Sequence, residues 1–73
     1  MTSIADQKFL RDLGVRIREK RLERGWTQDQ LAEKCGLHRT FIGSVERGER
    51  NVSILNLRLI AGVLRAGLAE LLS

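Results

Sequence analysis

Apolar residues recur along this chain at helical spacing almost from end to end. Leu10, Leu13, Gly14, Ile17 and the stem of Arg21 share one stripe with charges between them, which predicts a first helix from about Asp6 to Arg24, ended by Gly25. Thr27 and Gln30, three residues apart just before Leu31 and Ala32, have the spacing of a capping box, where hydroxyl and amide satisfy orphan backbone N–H groups. A second helix should therefore run from about Gln28 to Cys35 and stop at Gly36. His38 takes the N-cap position of a third helix, with Arg39 to Arg47 as its body and Gly48 as its left-handed terminal residue. Ser53 caps a fourth helix, about Ile54 to Leu64, and Gly67 opens a last turn through Leu72. The expected fold is all-α: five helices whose short connections force neighbours to cross steeply around one small core.

The third helix carries a surface that packing alone does not explain. At steps of about 100° per residue, Phe41, Ile42 and Val45 form an apolar arc, and Arg39, Thr40, Gly43, Ser44 and Arg47 form the opposite one. Glycine inside a helix costs about 1 kcal/mol against alanine. A helix lying in the major groove of DNA needs long forks for base edges and phosphates, and short side chains where its backbone must approach. The plainer alternative is a solvated arc that tolerates Gly43. The preceding helix of about eight residues, followed by a three-residue turn that starts at a glycine, gives the pair the spacing of a helix-turn-helix.

Composition narrows the class. The 73 residues form one domain, residues 1–73, and are 42% hydrophobic with no proline, which suits a small helical body. Thirteen Lys and Arg against nine Asp and Glu leave a charge of +4, and ten of the thirteen are arginine, whose planar fork matches phosphate and guanine. Cys35 is the single cysteine and His38 the single histidine, too few for a disulfide or a zinc site. No nucleophile–base constellation or phosphate loop points to an enzyme, and no cofactor, metal or small-molecule ligand is expected. Without an apolar leader or spanning segment the chain reads as cytoplasmic, with no membrane partner.

The stretch RLERGWTQDQLAEKCGLHRTFIGSVERG, residues 21 to 48, resembles the lambda-repressor and Cro type of helix-turn-helix, the XRE family, in its Thr-Gln-x-x-Leu-Ala start, glycine turn and Glu-Arg-Gly end. The resemblance covers about Leu13 to Leu72. It implies the five-helix fold, dimeric operator binding and a regulatory role. Gln28 is similar to the family's phosphate-clamping glutamine at a helix N-terminus, and Arg39, Thr40, Gly43 and Ser44 match its base-reading set. Arg39 would grip a guanine and Thr40 would offer a methyl to a thymine. Thr27, His38, Arg47, Arg50 and Asn51 match backbone or groove-edge positions, and Arg21 and Glu46 match a structural ion pair between helices one and three. His38 reads as a cap or phosphate neighbour. Trp26 replaces the usual smaller apolar residue and should seal the core; stacking on a base is the other reading. The small size and the Arg-Thr-Phe-Ile to Asn-Val-Ser run resemble the single-domain controller proteins of restriction-modification systems.

The fourth helix is richer in apolar residues than one core requires. Ile54, Leu57, Ile60, Ala61 and Leu64 share a face, while Leu55, Leu59 and Val63 form a second stripe at positions commonly charged or small in the family. With Leu68, Leu71 or Leu72 this stripe is the expected homodimer interface, in a dimerisation region of about residues 54–72; the helix-turn-helix spans about 27–47. Otherwise the N-terminal segment, with Ile4 and Phe9, folds back over it. The expected partners are double-stranded DNA and a second copy of the chain, with RNA polymerase a further candidate through Glu19, Glu23 and Asp29. The competing reading is an antitoxin-type interaction module that binds DNA secondarily.

Overall fold

The computed structural model describes residues 3–73, in which five helices form and no strand does: α1 Ile4–Glu23, α2 Gln28–Cys35, α3 Arg39–Glu46, α4 Ile54–Leu64 and α5 Leu68–Leu72. Three of the starts have a local cause in a side-chain cap. Ser3 accepts from the Asp6 N–H at 3.1 Å, so α1 starts two residues before the expected Asp6. Thr27 accepts from the Gln30 N–H at 3.1 Å while Gln30 Oε1 accepts from the Thr27 N–H at 2.8 Å, completing the capping box of α2. Ser53 accepts from the Asn56 N–H at 3.1 Å at the head of α4. Such caps contribute about 0.5–2 kcal/mol each. His38 occupies the N-cap position of α3, but its side chain makes no capping bond.

The helix ends close as paired reverse bonds. Glu49 N–H reaches Ser44 C=O at 2.9 Å and Gly48 N–H reaches Val45 C=O at 3.0 Å, with Gly48 at φ +73°. The same arrangement ends α4, yet there the left-handed residue is Arg65, at φ 56°. Arg24 secures that end from α1, its Nη2 donating to Leu64 C=O at 2.8 Å.

The core draws on every helix: Leu13 and Ile17, Leu31, Ala32 and Cys35, Ile42 and Val45, Leu57, Ile60, Ala61 and Leu64, and Leu71. Trp26, Leu37 and Phe41 pack around it half-buried, and Lys34 Nζ lies 4.8 Å from the Trp26 ring centroid. α5 is held to α1 by Lys20 Nζ–Glu70 Oε2 at 3.0 Å. Two glycines set how α1 meets the end of α3. A Cβ on Gly14 would collide with the carbonyls of Val45 and Glu46, and one on Gly48 would sit 2.7 Å from Arg11 Cα. Backbone therefore lies on backbone at both points, which fixes the tilt of α3 relative to α1.

Two expectations about packing are corrected. Leu71, assigned to the dimer interface, is fully buried, because the short α5 turns its middle leucine into the core. Ile54, assigned to the core face of α4, is 63% exposed; it stands in the first turn and lines a groove with Phe9, Leu10 and Leu72. Leu72, also assigned to the interface, belongs to that groove, and Leu68 packs half-buried on the core.

Candidate nucleic-acid interface

α3 presents its outer side beside the N-terminus of α2, and a buried ion pair fixes the two together. Arg21 Nε donates to Glu46 Oε2 at 2.7 Å and Nη2 to Oε1 at 2.9 Å, while Nη1 donates to Trp26 C=O at 2.8 Å. The paired side chains are 8% and 2% exposed. The same Glu46 oxygen accepts from Gln28 Nε2 at 3.0 Å, so one carboxylate joins α1, α2 and α3. Hydrogen bonding to Glu46 pushes the Arg21 guanidinium further above its ordinary value, against the effect of burial. Gln28 keeps a second amide N–H for an outside acceptor.

Gln28, Arg39, Thr40, Gly43 and Arg47 line one shallow depression on this surface. Arg39 and Thr40 are exposed, and Arg39 Nε stands 3.6 Å from Asp29 Oδ1. Arg47, the C-cap residue, is exposed with Nε 3.0 Å from Glu49 Oε1. Both pairs are open to water and restrain their arginines weakly. Thr27 is exposed and its hydroxyl, already accepting in the cap, retains its own proton to donate. His38 is exposed at the head of α3. Asn51 is exposed and borders Arg47 and Glu49 along a depression shared with α1.

Gly43 and Ser44 differ from the open positions expected of them, for both are buried. A Cβ on Gly43 would lie 3.1 Å from Arg47 Nη1 and 3.4 Å from Gln28 Oε1. In the free protein, the room that Gly43 leaves is therefore used by these two side chains. Ser44 turns its hydroxyl back onto Phe41 C=O at 2.8 Å and accepts from Arg50 Nε at 3.1 Å. Its proton is spent within the protein and little of the residue is open to solvent. Arg50 in turn lies over Phe41, with Cζ 5.2 Å from the ring centroid. That link between Phe41, Ser44 and Arg50 escaped the sequence reading, since nothing in the spacing shows that the loop after Gly48 doubles back along α3.

The second stripe of α4 stands open. Leu55 is 71% and Leu59 41% exposed, and with Arg58, Gly62 and Val63 they line a shallow apolar depression. Among the described residues the N-terminal segment does not cover it: residues from Ile4 onward continue α1, and Phe9 joins the separate groove with Ile54 and Leu72.

A helix pair joined by a glycine turn, locked by an Arg–Glu bridge and faced with arginines defines a class of protein, and comparison with known proteins agrees. The chain belongs to the Helix-turn-helix family, whose model matches residues 17–71. It is 46% identical over 61 residues to control protein C.SmaI of Serratia marcescens, covering 84% of this chain and 73% of that protein. Its structure is similar to that of the restriction-modification controller protein C.AhdI from Aeromonas hydrophila, with a TM-score of 0.82 and 44% identity over 85% of this chain and 94% of the other. It is also similar to SinR, a master regulator for biofilm formation solved in complex with DNA, with a TM-score of 0.80 and 35% identity over 84% of this chain and 98% of that one. The family is one of DNA-binding regulators. Among the described residues no helix is long and apolar enough to cross a membrane.

Proposed function

We propose that the protein is a sequence-specific DNA-binding transcriptional regulator of the restriction-modification controller kind, acting in the cytoplasm as a homodimer on a two-fold operator, and not an enzyme. The observation that carries this reading is the single depression where Arg39, Thr40, Arg47 and Gln28 converge at the junction of α2 and α3. Arg39 is the residue suited to a guanine edge and Thr40 to a thymine methyl. Gln28, with an N–H to spare at the head of α2, suits a phosphate. Arg47, Arg50, His38, Thr27 and Asn51 surround them as backbone or groove-edge contacts.

An eight-residue helix is about 12 Å long, enough for only a few base pairs. Two copies related by a two-fold axis read half-sites about 34 Å apart and so gain the missing discrimination. The exposed Leu55 and Leu59, with half-buried Val63 beside them, support that pairing, and the open space above Gly62 would let two α4 backbones come close. In this reading residues 27–47 bind DNA and the dimerisation region, about residues 54–72, contributes the outer face of α4. Glu19 and Glu23, exposed on α1, support RNA polymerase as a further partner. Replacing Arg39 by Ala tests the reading: operator affinity should fall by about 1–3 kcal/mol and preference at one base pair should relax. Unchanged affinity and unchanged preference would refute it.

A further inference from the structure

The depression on α3 does not use Ser44, yet its hydroxyl is engaged in a directed way. The hydroxyl proton goes to Phe41 C=O, which leaves the oxygen lone pairs for Arg50 Nε, and the Phe41 ring covers the guanidinium from one side. Ser44 is 8% exposed, whereas Arg50 is exposed. Arg39 and Arg47 each face a carboxylate, but Arg50 faces none within 4.0 Å among the described residues. Its Nε is engaged and its terminal nitrogens are unspent, the fork that takes a phosphate bidentately.

We propose that Ser44 and Phe41 are positioning residues, holding the Arg50 guanidinium beside α3 as a preformed clamp for a backbone phosphate of duplex DNA. The inference rests on the DNA-binding reading above and moves Ser44 from base reader to support. A free arginine loses its rotamer freedom when it grips a phosphate. Ser44 and Phe41 remove that loss in advance, an advantage of about two- to tenfold in affinity.

A double-mutant cycle on operator binding tests the clamp, with thermal unfolding recorded for every variant. Arg50→Ala should weaken binding and lower the salt slope of log K by about 0.9, the signature of one lost phosphate contact. Ser44→Ala should weaken binding about two- to tenfold in the wild-type background and not at all in the Arg50→Ala background. Phe41→Leu should behave alike. Relaxation of the Arg50 Nε–H in the free protein gives a readout independent of DNA: ordered in the wild type and mobile in Ser44→Ala. Equal losses from Ser44→Ala in both backgrounds, or a wild-type Arg50 Nε as mobile as that of Arg58, would overturn the clamp. A wild type that binds no duplex while its Arg50 Nε is ordered would overturn the DNA-binding reading and the clamp's role with it, a pattern distinct from failure of the clamp alone.

Discussion

Removing the Glu46 carboxylate should cost this protein a large share of its stability. Glu46→Ala strips three donors of their acceptor at once: Arg21 Nε at 2.7 Å, Arg21 Nη2 at 2.9 Å and Gln28 Nε2 at 3.0 Å. Arg21 stays in a site that leaves it 7% exposed, as a buried charge retaining only its bond to Trp26 C=O. Breaking one side of such a pair costs about 3–5 kcal/mol. Single domains have about 0.05–0.15 kcal/mol per residue, which for 73 residues gives a total of about 4–11 kcal/mol. The midpoint should fall by well over 10 °C, at about 4–8 °C per kcal/mol for a domain this size. Replacing both partners with apolar residues, Arg21→Met with Glu46→Leu, should recover most of the loss, because no unpaired charge is left behind. Urea titration monitored by circular dichroism measures all three states. A loss below about 1 kcal/mol for Glu46→Ala, in the range of an exposed pair, would refute the reasoning.

Three further outcomes follow from the packing. Leu59→Arg should convert the proposed dimer to a monomer by light scattering while changing stability by less than about 1 kcal/mol, whereas Leu71→Ala should cost about 2–5 kcal/mol; similar destabilisation by both would contradict the division between open stripe and core. Arg65→Gly should raise stability by about 1 kcal/mol, since Arg65 holds a left-handed conformation that glycine adopts without strain; an unchanged urea midpoint counts against that. The Gly67 N–H and then the Lys20 ammonium hold the Glu70 carboxyl below its usual value of 4.5. Its folded value lies below its unfolded one, so its stabilisation is present at neutral pH, declines as pH drops below about 4.5 and is gone below the folded value. Glu70→Gln should flatten stability against pH in that window, and an identical acid slope would rule the contribution out.

Much of this architecture is local and was therefore legible. Thr27 with Gln30, and Ser53 with Asn56, are caps written within four residues, and they mark α2 and α4 at their observed starts. The arc of α3 was legible only as an isolated cylinder. A helical wheel places Gly43 and Ser44 outside, but Gln28 arrives from α2 to cover the first and Arg50 returns from the following loop to engage the second. Both approaches depend on tertiary folding and leave no periodic trace. Leu71 was misassigned for a related reason: five residues are too short to display a stripe, so its inward direction is set by docking on α1 and α4. The stripe of Leu55, Leu59 and Val63 was visible because α4 runs for 11 residues, long enough to show two faces.

Two copies of the chain should present α3 to successive turns of one face of duplex DNA. Selecting bound sequences from a random duplex pool with the full chain at moderate ionic strength tests it most directly. The expected product is an inverted repeat whose half-sites are centred about 10 base pairs apart, the separation of one helical turn, with a guanine at a fixed place in each. A pool that returns without enrichment, or with a single unrepeated motif, would contradict it.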